Sequence, residues 1–344
     1  MPSRSSIARF ALLLLPLLLL GGAPALVRAE MPVIDLRVGL SLIVTRDGSL
    51  AEGQGQAGYV ELARGNVIGV VLPIPGHSEG RLPRLDASTA FFQLRTALSL
   101  SQKFAFQGCT RRSDRIAAWI SLEAPDALAR DPTQVGLWVA RGVRVFSIAG
   151  KRDNDVATSS TRIGPGPITG LTRAGHEVVR QILAAGALVD VSDASALSVD
   201  EVTDMARAWH VPVIATHSNA RALADSPWNL ADAQIREIAA SNGIIGVTAV
   251  HGMLAPGRTS SILHVVKQIL YLVQVAGSDH VALGIGFESG VSPLVDLKSA
   301  ADSPRLAADL RDAGMSEEDI ARVFYKNALR VLCATSGVPL KAGH

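Results

Sequence analysis

The chain is poor in cysteine, carries no strong excess of charge and lacks the short motifs that announce common catalytic sites. Cysteine occurs twice, as Cys109 and Cys333. That rules out a disulfide-dense scaffold, and the absence of any CxxC removes zinc ribbons and dithiol redox centres. No HExxH and no P-loop occur. No GxSxG elbow is present to carry a serine nucleophile. Formal net charge is +2 from 33 basic and 31 acidic side chains. Neither a basic face for nucleic acid nor a polybasic membrane patch is indicated. Charged residues are 19% of the chain and hydrophobic ones 48%, a globular rather than disordered balance. No internal repeat, low-complexity linker or second domain stands out.

Long apolar runs are limited to Phe10 to Leu20, which follow Arg4 and Arg9. Gly21, Gly22 and Ala23 come next, and Val27-Arg28-Ala29 offers small or modest residues for a peptidase. A basic start, a short apolar core and a small-residue exit describe an export signal over residues 1–29. The run is shorter than the ~20 residues a spanning helix needs. No cysteine follows it for a lipid anchor. The expectation is an exported protein, periplasmic or extracellular, attached to a membrane only if the signal is not cleaved. Removing Arg4, Arg9 and Arg28 and no acid leaves 30 basic against 31 acidic side chains, a net charge near −1. Cys109 and Cys333 could pair in such a compartment. Their distance in sequence favours reading both as small buried apolar residues.

Residues 30–344 read as one α/β domain. Nearly continuous apolar runs predict strands over Pro32–Arg37, Asn66–Ile74, Arg115–Leu122, Val143–Ile148, Ala187–Ser192, Val211–Thr216, Gly243–Val250 and His280–Phe287. Unbroken apolarity suits parallel strands covered on both faces. Helical periodicity falls between them, over Ala87–Lys103, Thr172–Ala185, Ser198–Trp209, Ala231–Ser241 and Ile262–Ala276. Ser198 and Asp200 are candidate N-caps, and Gly186, Gly243 and Gly277 candidate helix exits. Two or three closing helices are expected over Pro304–Gly337, with Ser316 to Asp319 as a capping start. Eight such units predict a closed (β/α)8 barrel. An open doubly wound sheet would place a glycine-rich turn after the first strand; Leu36-Arg37-Val38-Gly39 stands there instead.

Barrel chemistry collects where strands end and βα loops begin. The ends supply Arg37 and Gly39, Glu123, Gly150 and Lys151, Asp193, His217, and Gly286 and Glu288. The loop Gly150 to Gly170, rich in Gly, Pro and Ser, is expected over the mouth. His77, His176, His210, His251, His264 and His280 show no ligand spacing with one another. Ser218 beside His217 is not a nucleophile–base pair, because neighbours on a strand point to opposite faces.

Several blocks resemble the membrane dipeptidases, also called renal dipeptidases. They are VIATHSNARAL (Val213 to Leu223), NLADAQIREIAASNGIIGV (Asn229 to Val247), GLTRAGHEVVRQILAAGALVDVS (Gly170 to Ser192), GSDHVALG (Gly277 to Gly284) and SEEDIARVFYKNALRVL (Ser316 to Leu332). Shorter likenesses are PVID and SLEAPDAL. The resemblance implies a metallo-dependent hydrolase barrel that holds two zinc ions and cleaves short peptides. Its zinc ligands are a His-x-Asp pair after strand one, a bridging Glu and two later histidines. Here the His-x-Asp positions hold Arg37 and Gly39. Glu123 keeps the bridging place, Asp193 replaces the first later histidine and His217 keeps the second. The substrate-side histidine, arginine and aspartate fall at Gly150, Trp228 and Gly286.

A guanidinium stays protonated and repels a cation. The expectation is therefore a divergent, catalytically degenerate member (a pseudoenzyme whose zinc site is lost) that binds a small molecule, a short peptide or a partner protein. No nucleic acid is expected; a homodimer is implied by the family alone. Arg37, with Lys151 or Arg152, would compensate Glu123 and Asp193. The alternative is one zinc on Glu123, Asp193 and His217, hydrolysing an amide or ester at a remodelled site. Several single-residue readings stay open. His217 is a ligand or a structural partner of Glu123 or Asp193, and Asp193 a site residue or a helix cap. Glu288 is a weak candidate for general acid or base, or a solvated loop carboxylate.

Overall fold

A computed structural model describes residues 31–40, 55–75, 86–106, 109, 115–123, 125–161, 167–255, 259–290 and 292–334. The export segment read over 1–29 and His77 lie outside them.

The strands are β1 Val33–Asp35, β2 Val67–Pro75, β3 Phe104–Phe106, β4 Ile116–Glu123, β5 Val143–Ser147, β6 Leu188–Asp190, β7 Ile214–Ser218, β8 Ile244–Val247 and β9 Val281–Leu283. Pairing is parallel throughout and runs β1–β2–β4–β5–β6–β7–β8–β9. Asp35 opposite Leu283 brings β9 back to β1 and closes an eight-stranded barrel. All eight predicted strands are in it. The ninth, β3, is an addition that pairs with Ile116–Ala118, while β5 takes β4 from Ile120 onward.

One alternate set of strand residues points inward. Ile34, Val71, Trp119, Val145, Leu188, Ile214, Ile244 and Ala282 form a single buried cluster, into which Ala328, Val331 and Leu332 also pack. The last three lie on the helix Asn327–Ala334, so the C-terminal helix packs into the barrel's interior cluster. Trp119 is fully buried, and β2 answers it with Gly69, where a Cβ would lie 2.8 Å from the indole ring. The outward residues pack against helices in a larger core, as a parallel barrel requires.

Helices occupy Ala87–Ser101, Arg173–Ala184, Ala196–Trp209, Asp232–Ala240, Ile262–Ala276 and Ser303–Asp312. Local chemistry corrects some expectations. Ser195, not Ser198 or Asp200, caps Ala196–Trp209, its Oγ accepting from the Ser198 amide at 3.1 Å. Gly186 and Gly277 are left-handed at φ 66° and 89° as their placing suggested, but before β8 that conformation falls to Asn242 at φ 60°. Gly243 answers a close approach instead: a Cβ there would sit 2.1 Å from the Val213 carbonyl. Short helices at Tyr59–Arg64, Asp126–Arg130, Gln134–Arg141 and His251–Leu254 had too few residues to show a period. The tail is Ser303–Asp312, Glu317–Ala321, a π-helical turn Arg322–Lys326 and Asn327–Ala334, with Ser316 capping as expected.

Cys109 and Cys333 are joined in a disulfide with Cα atoms 5.6 Å apart, which corrects the reading of two separate buried thiols. It ties the segment before β4 to the closing helix. Among the described residues no helix is long and apolar enough to cross a membrane.

Candidate ligand site at the barrel mouth

Three strand ends bring acids into the mouth, and each acid is answered differently. Asp35 ends β1 with its side chain buried. It accepts from the amides of Arg37 at 3.0 Å and Ile285 at 3.1 Å, tying the β1 exit to the β9 exit. Burial pushes its carboxyl up to about 7, against the pull of those two amides and of Arg37.

Arg37 follows at once. Its Nη1 donates to Oε1 of Glu123, the last residue of β4, forming an ion pair whose side chains are 17% and 27% exposed. Burial would lower the guanidinium's pKa, but Glu123 foremost, then Asp193 and Asp190, raise it. The charge is therefore fixed. The Arg37 carbonyl accepts from the Gly286 amide at 3.2 Å, so Gly286 serves as backbone support for Arg37.

Asp190 ends β6 fully buried, with five donors around it. Ser147 Oγ at 2.6 Å and Thr216 Oγ1 at 2.7 Å donate to Oδ2. Ser192 Oγ at 2.7 Å, its amide at 2.9 Å and the Thr216 amide at 3.0 Å donate to Oδ1. Such a shell is what lets a carboxylate sit in a dry interior.

His217 sits above that shell. Because Thr216 Oγ1 gives its proton to Asp190, it accepts from His217 Nδ1 at 3.0 Å, which places a ring proton on Nδ1. Nε2 then faces Asp193 Oδ2 at 3.6 Å. Asp193 takes a left-handed backbone at φ 63°. Burial works to raise its pKa, but His217, Arg37 and Lys151 together hold it below the ordinary range. Asp193 does not cap the following helix; its carbonyl accepts from the Ser160 amide at 2.8 Å. Lys151 and Arg152 are exposed, and Lys151 acts on Asp193 from that exposed position.

The remaining positions are structural in their contacts. The Gly150 carbonyl accepts from Ser159 Oγ at 2.6 Å, and the Trp228 carbonyl from Ser218 Oγ at 2.9 Å, which leaves Ser218 engaged away from His217. The carboxylate of Glu288 is not simply solvated. It accepts from the amide of Gln56 and, at 3.3 Å, from that of Ala57.

The structure thus joins Arg37 to Glu123 and Asp193 to His217. It does not gather Glu123, Asp193 and His217 into one ligand set; among the described residues no three His, Cys, Asp or Glu side chains group as a cation site. Glu123 is engaged by a guanidinium, position 39 has no side chain, and His217 with Asp193 gives two donors where tetrahedral zinc needs about four. These residues do not fit the two-zinc arrangement that the resemblance implies. Sequence reasoning missed Asp190 and Asp35. The signal available was an acid inside an apolar run, which must be compensated wherever the strand is buried.

The chain matches the family model for membrane dipeptidases, peptidase family M19, over residues 25–341. A Klebsiella pneumoniae protein named for its place in the pqqA 5′ region is 34% identical over 233 residues, covering 64% of this chain and 83% of that protein. Dipeptidase ataJ of Aspergillus terreus is 28% identical over 250 residues, covering 67% of this chain but only 60% of the fungal protein. Among solved structures, a dipeptidase AC superposes with TM-score 0.78 at 23% identity, covering 90% of this chain and all of its own. A Rhodobacter sphaeroides metallopeptidase, liganded with a phosphinate mimic of L-Ala-D-Ala, gives 0.77 at 22% identity, with 89% and 99% covered. At these identities the superpositions establish the fold.

Proposed function

This chain belongs to the membrane dipeptidase family, and we propose that within it this member is an exported, catalytically degenerate protein that binds ligand without cleaving it. The ligand is a small molecule or short peptide held in the barrel mouth, or a partner protein docked there. The observation that carries this reading is the donation from Arg37 to Glu123. In the arrangement that the resemblance implies, Glu123 would be a metal ligand; here its charge is already met by a cation that cannot leave, cannot activate water and donates hydrogen bonds only.

The mouth's own residues can still recognise a ligand. Arg37 offers donors, Asp193 and Glu123 acceptors, and His217 a ring nitrogen fixed through Thr216 and Asp190. Export is supported by the basic, apolar and small-residue succession over 1–29 and by the Cys109–Cys333 bridge, which belongs in an oxidising compartment. The second reading, a hydrolase with one zinc on Glu123, Asp193 and His217, has the engagement of Glu123 against it.

The test is turnover. Purified protein supplied with zinc and a panel of dipeptides is expected to release no amino acids, while calorimetry with the same panel detects binding. Hydrolysis that disappears in His217→Ala would overturn the proposal.

A further inference from the structure

The two substituted positions after β1 differ in how they lost their side chains. Arg37 exchanges one side chain for another. Gly39 has none, and the space beside it is filled by main chain. A Cβ at Gly39 would lie 2.2 Å from the Glu288 carbonyl oxygen, 2.5 Å from its carbon and 2.9 Å from the Ser289 nitrogen. Main-chain atoms cannot rotate aside as the end of a long side chain can. The Gly39 amide also donates to the Phe287 carbonyl at 2.8 Å, which pins the two segments together.

What holds the β9 loop there is Glu288. It adopts φ 61°, a left-handed conformation that costs a non-glycine residue free energy and persists only where contacts enforce it. Its carboxylate accepts from the Gln56 and Ala57 amides, and its own amide donates to Gln56 Oε1 at 3.4 Å. Gly55, at φ 84°, completes the seat, since a Cβ there would come within 2.1 Å of Glu288 Oε1. Gly39, Gly55, Gln56 and Glu288 fit only as a set, although 232 residues separate Gln56 from Glu288.

We propose that Glu288 latches the β9 loop into the seat of the family's first metal, so that restoring the His-x-Asp pair alone does not restore metal binding. Glu288 is here a positioning residue; its carboxylate is committed to the 55–57 segment and does not serve as a general acid or base. The inference rests on reading Arg37 and Gly39 as degenerate metal positions. Zinc bound stoichiometrically by the unmodified protein would refute that reading, whereas the variants below test the latch.

Full-length protein is incubated with zinc, freed of excess and assayed for metal per chain. Arg37→His/Gly39→Asp is expected to hold no more zinc than the unmodified protein. Adding Glu288→Gly, which removes the latch and relieves the left-handed strain, is expected to raise the content toward one per chain. Uptake by the double variant alone, or no gain from Glu288→Gly, overturns the proposal. Should the double variant fail to fold, Gly39→Ala decides. It is expected to lower Tm by about 5 °C, and by less than half as much in a Glu288→Gly background. Equal losses in the two backgrounds, or no loss in either, overturn the proposal.

Discussion

Arg37 and Glu123 face each other from strands that are not neighbours: β2 lies between β1 and β4, and the guanidinium reaches past it to the carboxylate. The pair therefore braces the mouth across a strand rather than along a ladder. Arg37→Ala leaves the Glu123 carboxylate without its cation, and is expected to cost about 3 kcal/mol, the scale of a broken buried pair. Arg37→Met/Glu123→Gln removes both charges and should recover most of that loss. Urea unfolding of the three proteins checks it. No loss in Arg37→Ala would mean the mouth is hydrated enough for Glu123 to do without a partner.

Asp190 is the anchor beneath. Asp190→Ala orphans two hydroxyls of β5 and β7, the Ser192 hydroxyl and two amides in a sealed interior. A loss of at least about 3 kcal/mol is expected, with His217 losing its fixed orientation. The His217 ring resonances should broaden or shift by NMR in any Asp190→Ala protein that remains folded.

Asp35 makes stability depend on pH in a stated direction. Its carboxyl titrates near 7 in the folded chain and near 3.8 otherwise. The folded state thus holds the extra proton between those values, and stability from this group falls as pH rises from about 4 to 7. Asp35→Asn keeps an acceptor for the Arg37 and Ile285 amides and cannot ionise. The difference in unfolding free energy between variant and wild type should move in the variant's favour as pH goes from 5 to 8, and a pH-independent difference would contradict the shift.

The disulfide closes a loop of 224 residues between the segment before β4 and the last helix. Cys109→Ser/Cys333→Ser, or reduction, is expected to lower stability by about 3 kcal/mol. The helix Asn327–Ala334 should loosen first, and hydrogen exchange at Val331 and Leu332 reads that directly.

The barrel was legible because its strands are buried on both faces and so spell unbroken apolar runs. β3 was not: Phe-Ala-Phe is too short to carry a period, and the helical pattern of Ala87–Lys103 ran into it until Gln102 turned left-handed. At the mouth, charge reasoning placed Arg37 against Glu123, since a buried acid needs a cation and few were near. The shell of Asp190 could not be read in that way, as two of its donors are amides and the rest are ordinary hydroxyls on three strand ends. The Glu288 latch and the cysteine bridge were hidden for a common reason. Each joins segments more than two hundred residues apart, and nothing in either local sequence names the other.

The most direct measurement is the zinc content of the unmodified protein, purified without chelator and without added metal. A ratio well below one zinc per chain, with an unfolding transition indifferent to a chelator, is the predicted result. One or more zinc ions per chain, lost together with stability in His217→Ala, would contradict the account.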